Sequence, residues 1–132
     1  MSDYIRIAQM SVEDAYGPMA AVRVDRGPGR TIVWATRPTD DGEEVMALAA
    51  GPDHGRACAR LIQAVVRGDT MLTTAEVAEV LGLTGSRVRQ MTHAGEIATE
   101  TPGPGRPGHV KRYRPAEVHR ALGLPRRKGM RE

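Results

Sequence analysis

The pattern of apolar and polar positions predicts a small mixed domain in the first half of the chain. Residues 4–8 alternate, which predicts a first strand with Ile5 and Ile7 directed inward, followed by a short turn from Ser11 to Asp14. Residues 19–25 and 31–37 read as two strands around a glycine-rich turn at 26–30. In that pairing Val22 and Val24 should share a face with Ile32 and Trp34.

The next stretch leaves one assignment open and then gives a clear helix. Residues 45–49 fit a fourth strand, although residues 43–50 fit a helix equally well. After Gly51-Pro52, residues 53–67 carry apolar side chains at helical spacing, with Cys58, Leu61, Ile62 and Val65 on one side. We therefore expect a small antiparallel sheet with one helix, ending near residue 69.

Residues 71–94 predict two short helices joined by a tight turn. Thr73 and Glu76 form a capping box at the first start, and Leu72 is placed to pack on Val77. Gly82 supplies the positive φ that the turn needs, and Thr84 caps a second helix that ends before Gly95. Val88 and Met91 should face inward, which leaves a polar and basic outer face typical of a DNA-reading helix.

Two further strands and a closing helix complete this half. Residues 97–101 and 110–113 are expected to be strands joined by a loop rich in proline and glycine at 102–108. Pro115 suits the first position of a helix whose Val118, Ala121 and Leu122 return to the core. Residues 125–132 are expected to be a mobile basic tail. The fold class expected overall is α+β, with domains at 1–69 and 70–124.

Charge is distributed unevenly between the halves. The net charge is +3, but residues 1–70 hold 8 basic and 10 acidic side chains, whereas residues 71–132 hold 11 basic and 6 acidic ones. A one-sided basic field beside a helix-turn-helix is the footprint of a phosphate-binding surface. The charge pattern and the helix pattern thus point independently to nucleic-acid binding by the second half.

This second half resembles the MerR-like winged-helix DNA-binding family, which includes phage excisionases and short developmental regulators. The matching pieces are LTTAEVAEVLGLTGSRVRQMTHAGEI and HVKRYRPAEV, within residues 71–122. The resemblance implies a winged helix-turn-helix whose wing touches the DNA backbone or minor groove. It carries over five contact residues: Arg106, His109, Lys111, Arg112 and Arg114. Compared with the family, the loop here is longer and richer in proline and glycine.

The outer face of the second helix supplies the expected contacts in the major groove. Arg89 and Gln90 are the best candidates for base edges, because Arg pairs with guanine and Gln with adenine in a bidentate way. Ser86, Arg87 and His93 suit either a base or a phosphate, and Thr84 with the free amides beside it should hold a phosphate. For Tyr113 we expect a packed ring with its hydroxyl at the surface, not base stacking.

Composition limits the remaining alternatives. The chain of 132 residues has no Phe and a single Trp, so its cores are thin and association with a second copy would help them. Cys58 is the only cysteine and fits a reducing cytoplasm, and no stretch has membrane-spanning length. His54 with Cys58 offers only two ligands, and the acidic residues at 40–44 lie in an ordinary polar turn, so we expect no metal.

The sequence thus predicts a cytoplasmic, homodimeric protein that binds double-stranded DNA without a cofactor. We expect no enzyme, because no nucleophile–base set, P-loop or dinucleotide fingerprint is present. The leading role is transcriptional control or a phage or plasmid accessory function. The alternative is a structural adaptor of the phage-packaging type, which recruits DNA and oligomerises through residues 1–69. A third hypothesis makes that half a sensor of a ligand or partner, and the sequence leaves any effector open.

Overall fold

The computed structural model describes residues 3–27, 29–100 and 111–131, and the chain divides into two compact units, 1–70 and 71–132. The first unit runs α1 (Asp3–Tyr16), β1 (Ala21–Gly27), β2 (Arg30–Thr39), β3 (Gly42–Gly51) and α2 (His54–Arg67). The second contains α3 (Thr74–Leu81), α4 (Gly85–His93) and α5 (Pro115–Arg131). The α+β class is therefore confirmed.

In the first unit, the antiparallel sheet has the strand order β1-β2-β3, and both helices pack on one of its faces. The core is built mainly from small side chains of the two helices and from one face of β2 and β3. Its members are Ala8, Val12, Ala20, Val33, Ala35, Ala47, Ala49, Ala57, Cys58, Leu61 and Val65. Residues 45–49 are thus part of a strand, which settles the alternative that the sequence left open.

The expectation of a first strand at residues 4–8 is wrong, because this segment belongs to α1. Ile5 is half-buried, Ala8 and Val12 are fully buried, and Ile7 is exposed, which is the periodicity of a helix and not of a strand. The expected turn at 11–14 is likewise helical. The sheet therefore follows a helix, and two helices pack on it instead of one.

The side chain of Gln9 ties α1 to the outer edge of β1. Its amide oxygen accepts a hydrogen bond from the backbone N–H of Val22 at 2.8 Å, and its amide nitrogen donates to the carbonyl of Ala20 at 2.9 Å. One polar side chain thus satisfies a donor and an acceptor that an edge strand leaves unpaired.

The register of the hairpin also differs from the expected one. Pairing continues to Gly27 and Arg30, so Val24 lies opposite Val33 and Val22 opposite Ala35. The expected turn at 26–30 would have placed Val24 opposite Ile32. A shift of one residue exchanges the two faces of a strand. Val22 and Val24 therefore share their face with Val33 and Ala35, and the prediction of Ile32 and Trp34 was wrong.

Within residues 71–100 and 111–131, the second unit contains three helices and two isolated β-bridges, Leu72–Tyr113 and Glu100–Arg112. In its described part, residues 97–100 and 111–113 do not form the regular strands that were expected. The N–H of Glu96 donates to the carbonyl of Met91 at 2.9 Å, and the N–H of Ala98 donates to the Glu117 carboxylate at 3.2 Å. These donors are used in a turn and a side-chain contact, so they cannot build a ladder.

The last helix is longer than the sequence indicated. α5 continues to Arg131 and so includes residues 125–131, which were expected to be a basic tail. In the described part of the chain, no helix combines the length and apolar character needed to cross a bilayer.

Candidate nucleic-acid interface

The start of α3 is held by the capping box that the sequence predicts. The hydroxyl of Thr73 accepts from the N–H of Glu76 at 3.2 Å, and the Glu76 carboxylate accepts from the N–H of Thr73 at 2.8 Å. Leu72 and Val77 are both buried. Two backbone donors at the helix start are therefore satisfied, and the direction of α3 is set locally.

A short turn then redirects the chain from α3 into α4. Gly82 has φ 70° and ψ 35°, a left-handed conformation that glycine adopts without steric cost. Leu83 donates its N–H to the carbonyl of Ala78 at 2.9 Å, and the hydroxyl of Thr84 accepts from the N–H of Arg87 at 3.1 Å. The turn residues thus cap the end of one helix and the start of the next.

Helix α4 separates its side chains into an inner and an outer face, as predicted. Val88 and Met91 are buried, with 0% and 2% of their surface exposed. The helix contains no acidic residue. Its outer face, which we call the α4 face, consists of five exposed side chains: Ser86, Arg87, Arg89, Gln90 and His93.

Two long side chains of the α4 face have defined positions. The guanidinium of Arg87 donates to the amide oxygen of Gln90 at 3.5 Å. The Nη1 atom of Arg89 lies 3.4 Å from the point that a Cβ on Gly85 would occupy. Arg89 therefore runs back along the first turn of α4, beside Gly85.

The segment 111–114 brings further basic side chains into the second unit. Lys111 and Arg114 are exposed and Arg112 is half-buried. Backbone hydrogen bonds of 2.7 and 2.9 Å join Arg112 to Glu100, and the Glu100 carboxylate forms an ion pair with Arg114. Two other basic residues of the sequence-based set, Arg106 and His109, lie outside the described residues.

Tyr113 differs in one respect from the expectation. Its ring is packed, as expected, but the whole residue is buried, and its hydroxyl lies 2.8 Å from Oγ1 of Thr92 in α4 instead of at the surface. Neither Thr92 nor Glu100 was predicted to have a role from the sequence. Both make contacts distant in sequence, for which local periodicity carries no signal.

Charge and burial shift the pKa values of Glu117 and His119 in this unit. The hydrogen bond from Arg120 holds the pKa of the Glu117 carboxyl below its usual range, and the N–H of Ala98 acts in the same direction. Burial lowers the pKa of His119, so its neutral form is favoured. In the first unit, burial raises the pKa of the Cys58 thiol.

Over the described residues, no three His, Cys, Asp or Glu side chains are grouped so that they could hold a metal ion. His54 instead accepts a hydrogen bond from Nε of Arg26 at 3.2 Å. Comparison of the chain with protein-family models, curated proteins and solved structures gives no match.

Proposed function

We propose that this protein binds double-stranded DNA in a sequence-specific way. In this proposal residues 70–124 act as a winged helix-turn-helix: α3 and α4 form the helix-turn-helix, and the bridge segments around Glu100 and Arg112 form the root of the wing. The observation that carries the proposal is the α4 face. It offers donors and cationic groups on a capped helix whose opposite side is anchored by Val88 and Met91. An α-helix of this kind fits the major groove.

The proposed contacts follow from where each side chain lies. Arg89 and Gln90 read base edges, and Ser86, Arg87 and His93 contact bases or phosphates. The N–H groups of Gly85 and Ser86, next to Thr84 at the start of α4, bind a phosphate, since they have no partner within the helix. Lys111 and Arg112 contact the DNA backbone. Arg114 contributes less, because its charge is partly balanced by Glu100. Arg106 and His109 are included as DNA contacts only because of the family resemblance.

The test starts with selection of bound sequences from a random duplex pool. Replacing Arg89 by Ala should cost about 1–3 kcal/mol on the selected site and reduce discrimination at one position. Arg6→Ala is the matched control, because it removes an exposed arginine from α1 in the first unit. Equal losses on selected and random duplexes would contradict base reading by Arg89. Retention of no duplex by the wild-type protein in dilute buffer would contradict the whole proposal.

We also propose that the protein acts as a homodimer in the cytoplasm. One reading helix covers only a few base pairs, so a second copy would supply the affinity and the half-site spacing of a regulator. The first unit has a core made largely of alanine and valine, which favours association as a further source of stability. Sedimentation should therefore show a dimer at micromolar concentration.

Oligomeric states other than a dimer in the sedimentation experiment would each point to a different conclusion. A monomer with full affinity for a half-site would contradict the dimer. Ring-sized oligomers would instead favour the structural adaptor, which recruits DNA with the second unit and assembles through the first.

A further inference from the structure

A partly buried hydrogen-bond chain in the second unit links Tyr113 to the backbone of α4. Tyr113 is the largest fully buried side chain of the described residues. Its hydroxyl lies 2.8 Å from Oγ1 of Thr92, and that oxygen lies 2.9 Å from the carbonyl of Val88. The chain therefore begins on one segment of the unit and ends inside the helix that carries the α4 face.

The number of protons decides the direction of this chain. The Thr92 hydroxyl has one hydrogen, and the Val88 carbonyl can only accept, so Thr92 donates to Val88. Oγ1 of Thr92 then accepts the hydrogen of the Tyr113 hydroxyl. The phenol is thus the donor at the outer end of the chain. Removing the phenol hydroxyl therefore leaves the Thr92 hydroxyl still donating to the Val88 carbonyl.

The backbone of Tyr113 is itself held at a fixed place. Its N–H donates to the carbonyl of Leu72 at 2.9 Å, and its carbonyl accepts from the N–H of Leu72 at 2.8 Å. Leu72 directly precedes the Thr73 cap of α3, and Arg112 is paired in the same double way with Glu100. The ring of Tyr113 therefore spans from the start of α3 to the last turn of α4.

We propose that Tyr113 is a positioning residue for α4, acting through Thr92. Val88 and Met91 anchor the inner face of α4 by apolar contact, which keeps that face inward but has no directional preference of its own. A hydrogen bond is directional, so the Tyr113–Thr92 bond sets the rotation of the last turn of α4. Gln90 and His93 project from this part of the helix.

The functional part of this inference rests on the proposed DNA binding. Binding groups must be held within about 0.5 Å and 10–20° of their productive geometry. A rotation of α4 would move Gln90 and His93 out of that range, whereas the salt-dependent contacts of Lys111 would change little. Tyr113 should therefore affect discrimination between duplexes more than general affinity for DNA.

The experiment replaces Tyr113 by Phe, which keeps the ring and removes only the donor. Amide hydrogen exchange of the free protein should become about three- to tenfold faster for residues 90–93, the loss expected for one hydrogen bond. Exchange in α3 should stay unchanged. Tyr16→Phe, on α1 of the first unit, is the matched control and should leave exchange in α4 unchanged. Selected-site affinity should fall by a similar factor, with random-duplex affinity and its salt dependence retained.

Thr92→Val supplies the second variant, since it removes the acceptor of the Tyr113 hydroxyl, together with the bond from Thr92 to Val88. The double variant Tyr113→Phe/Thr92→Val should be no worse than the more affected single variant, because both remove the same bond. Equal acceleration of exchange throughout the second unit would show a purely structural role and overturn the inference, as would unchanged exchange in α4. Because exchange is measured without DNA, failure of wild-type DNA binding would overturn the proposed function alone.

Discussion

The contact between Gly51 at the end of β3 and the first turn of α2 leads to a strong prediction about the first unit. A Cβ atom on Gly51 would lie 2.7 Å from the backbone nitrogen of Ala57 and 3.1 Å from the carbonyl carbon of Arg56. Both atoms belong to helix backbone, so no rotation of a side chain can relieve the overlap. In Gly51→Ala the helix itself must move away from the sheet.

The loss of stability in Gly51→Ala follows from that movement of the helix. Restoring ordinary van der Waals contact needs a shift of about 0.7 Å, and a gap of about 0.5–1 Å already forfeits a quarter to a half of the dispersion attraction. Overpacking of this kind costs about 1–3 kcal/mol. For a unit of this size, a loss of about 2 kcal/mol lowers the Tm by about 8–16 °C.

Gly55→Ala provides the matched control. A Cβ on Gly55 would lie 3.2 Å from the ring of Tyr4, which is 56% exposed and free to swing outward. Both substitutions are Gly to Ala, so their effect on the entropy of the unfolded chain cancels in the comparison. We expect Gly55→Ala to lose no more than about 0.5 kcal/mol, since alanine is also the better helix former.

The assay is thermal and urea unfolding followed by fluorescence. Trp34 is the only tryptophan and lies in β2, so its emission reports on the same unit. If Gly51→Ala proved as stable as Gly55→Ala, then α2 would not approach β3 as closely as described, and the packing of the helices on this sheet face would need revision.

Three further predictions concern charge and burial. Lys111→Ala should weaken binding to all duplexes alike and reduce the salt slope by about one unit, and an unchanged slope in a salt titration would remove Lys111 from the phosphate contacts. Cys58, with 1% exposure and a pKa raised by burial, should react with a thiol reagent at least about a hundredfold faster in urea than in the native protein, and similar rates would contradict its burial. Because the folded-state pKa of Glu117 is lowered, its stabilising contribution is complete above the ordinary pKa of glutamate and is lost as the pH falls below that value toward the folded pKa. Circular dichroism across this acid range should show a smaller loss of stability for Glu117→Gln than for the wild type, and identical pH profiles would contradict the shift.

The sequence by itself determined those features that depend on neighbours a few residues apart. The capping box of Thr73 and Glu76, the left-handed Gly82, the Thr84 cap and the inner face of α4 all involve contacts within about one helical turn. The amphipathic pattern of α2 is equally local, and it too was predicted. Such signals survive in any context, because the chain supplies both partners within one short segment.

Tertiary structure decided the features that depend on partners far apart in the chain. α1 was misread because alternation at residues 4–8 also fits a helix whose buried members, Ala8 and Val12, are identified only by their packing against the sheet. The observed hairpin register differs from the expected one by a single residue, and this shift places Val22 and Val24 opposite the other face of β2. Composition cannot resolve a difference of one residue. The contacts of Thr92 with Tyr113 and of Glu100 with Arg114 join segments that only folding brings together, and so periodicity could not reveal them.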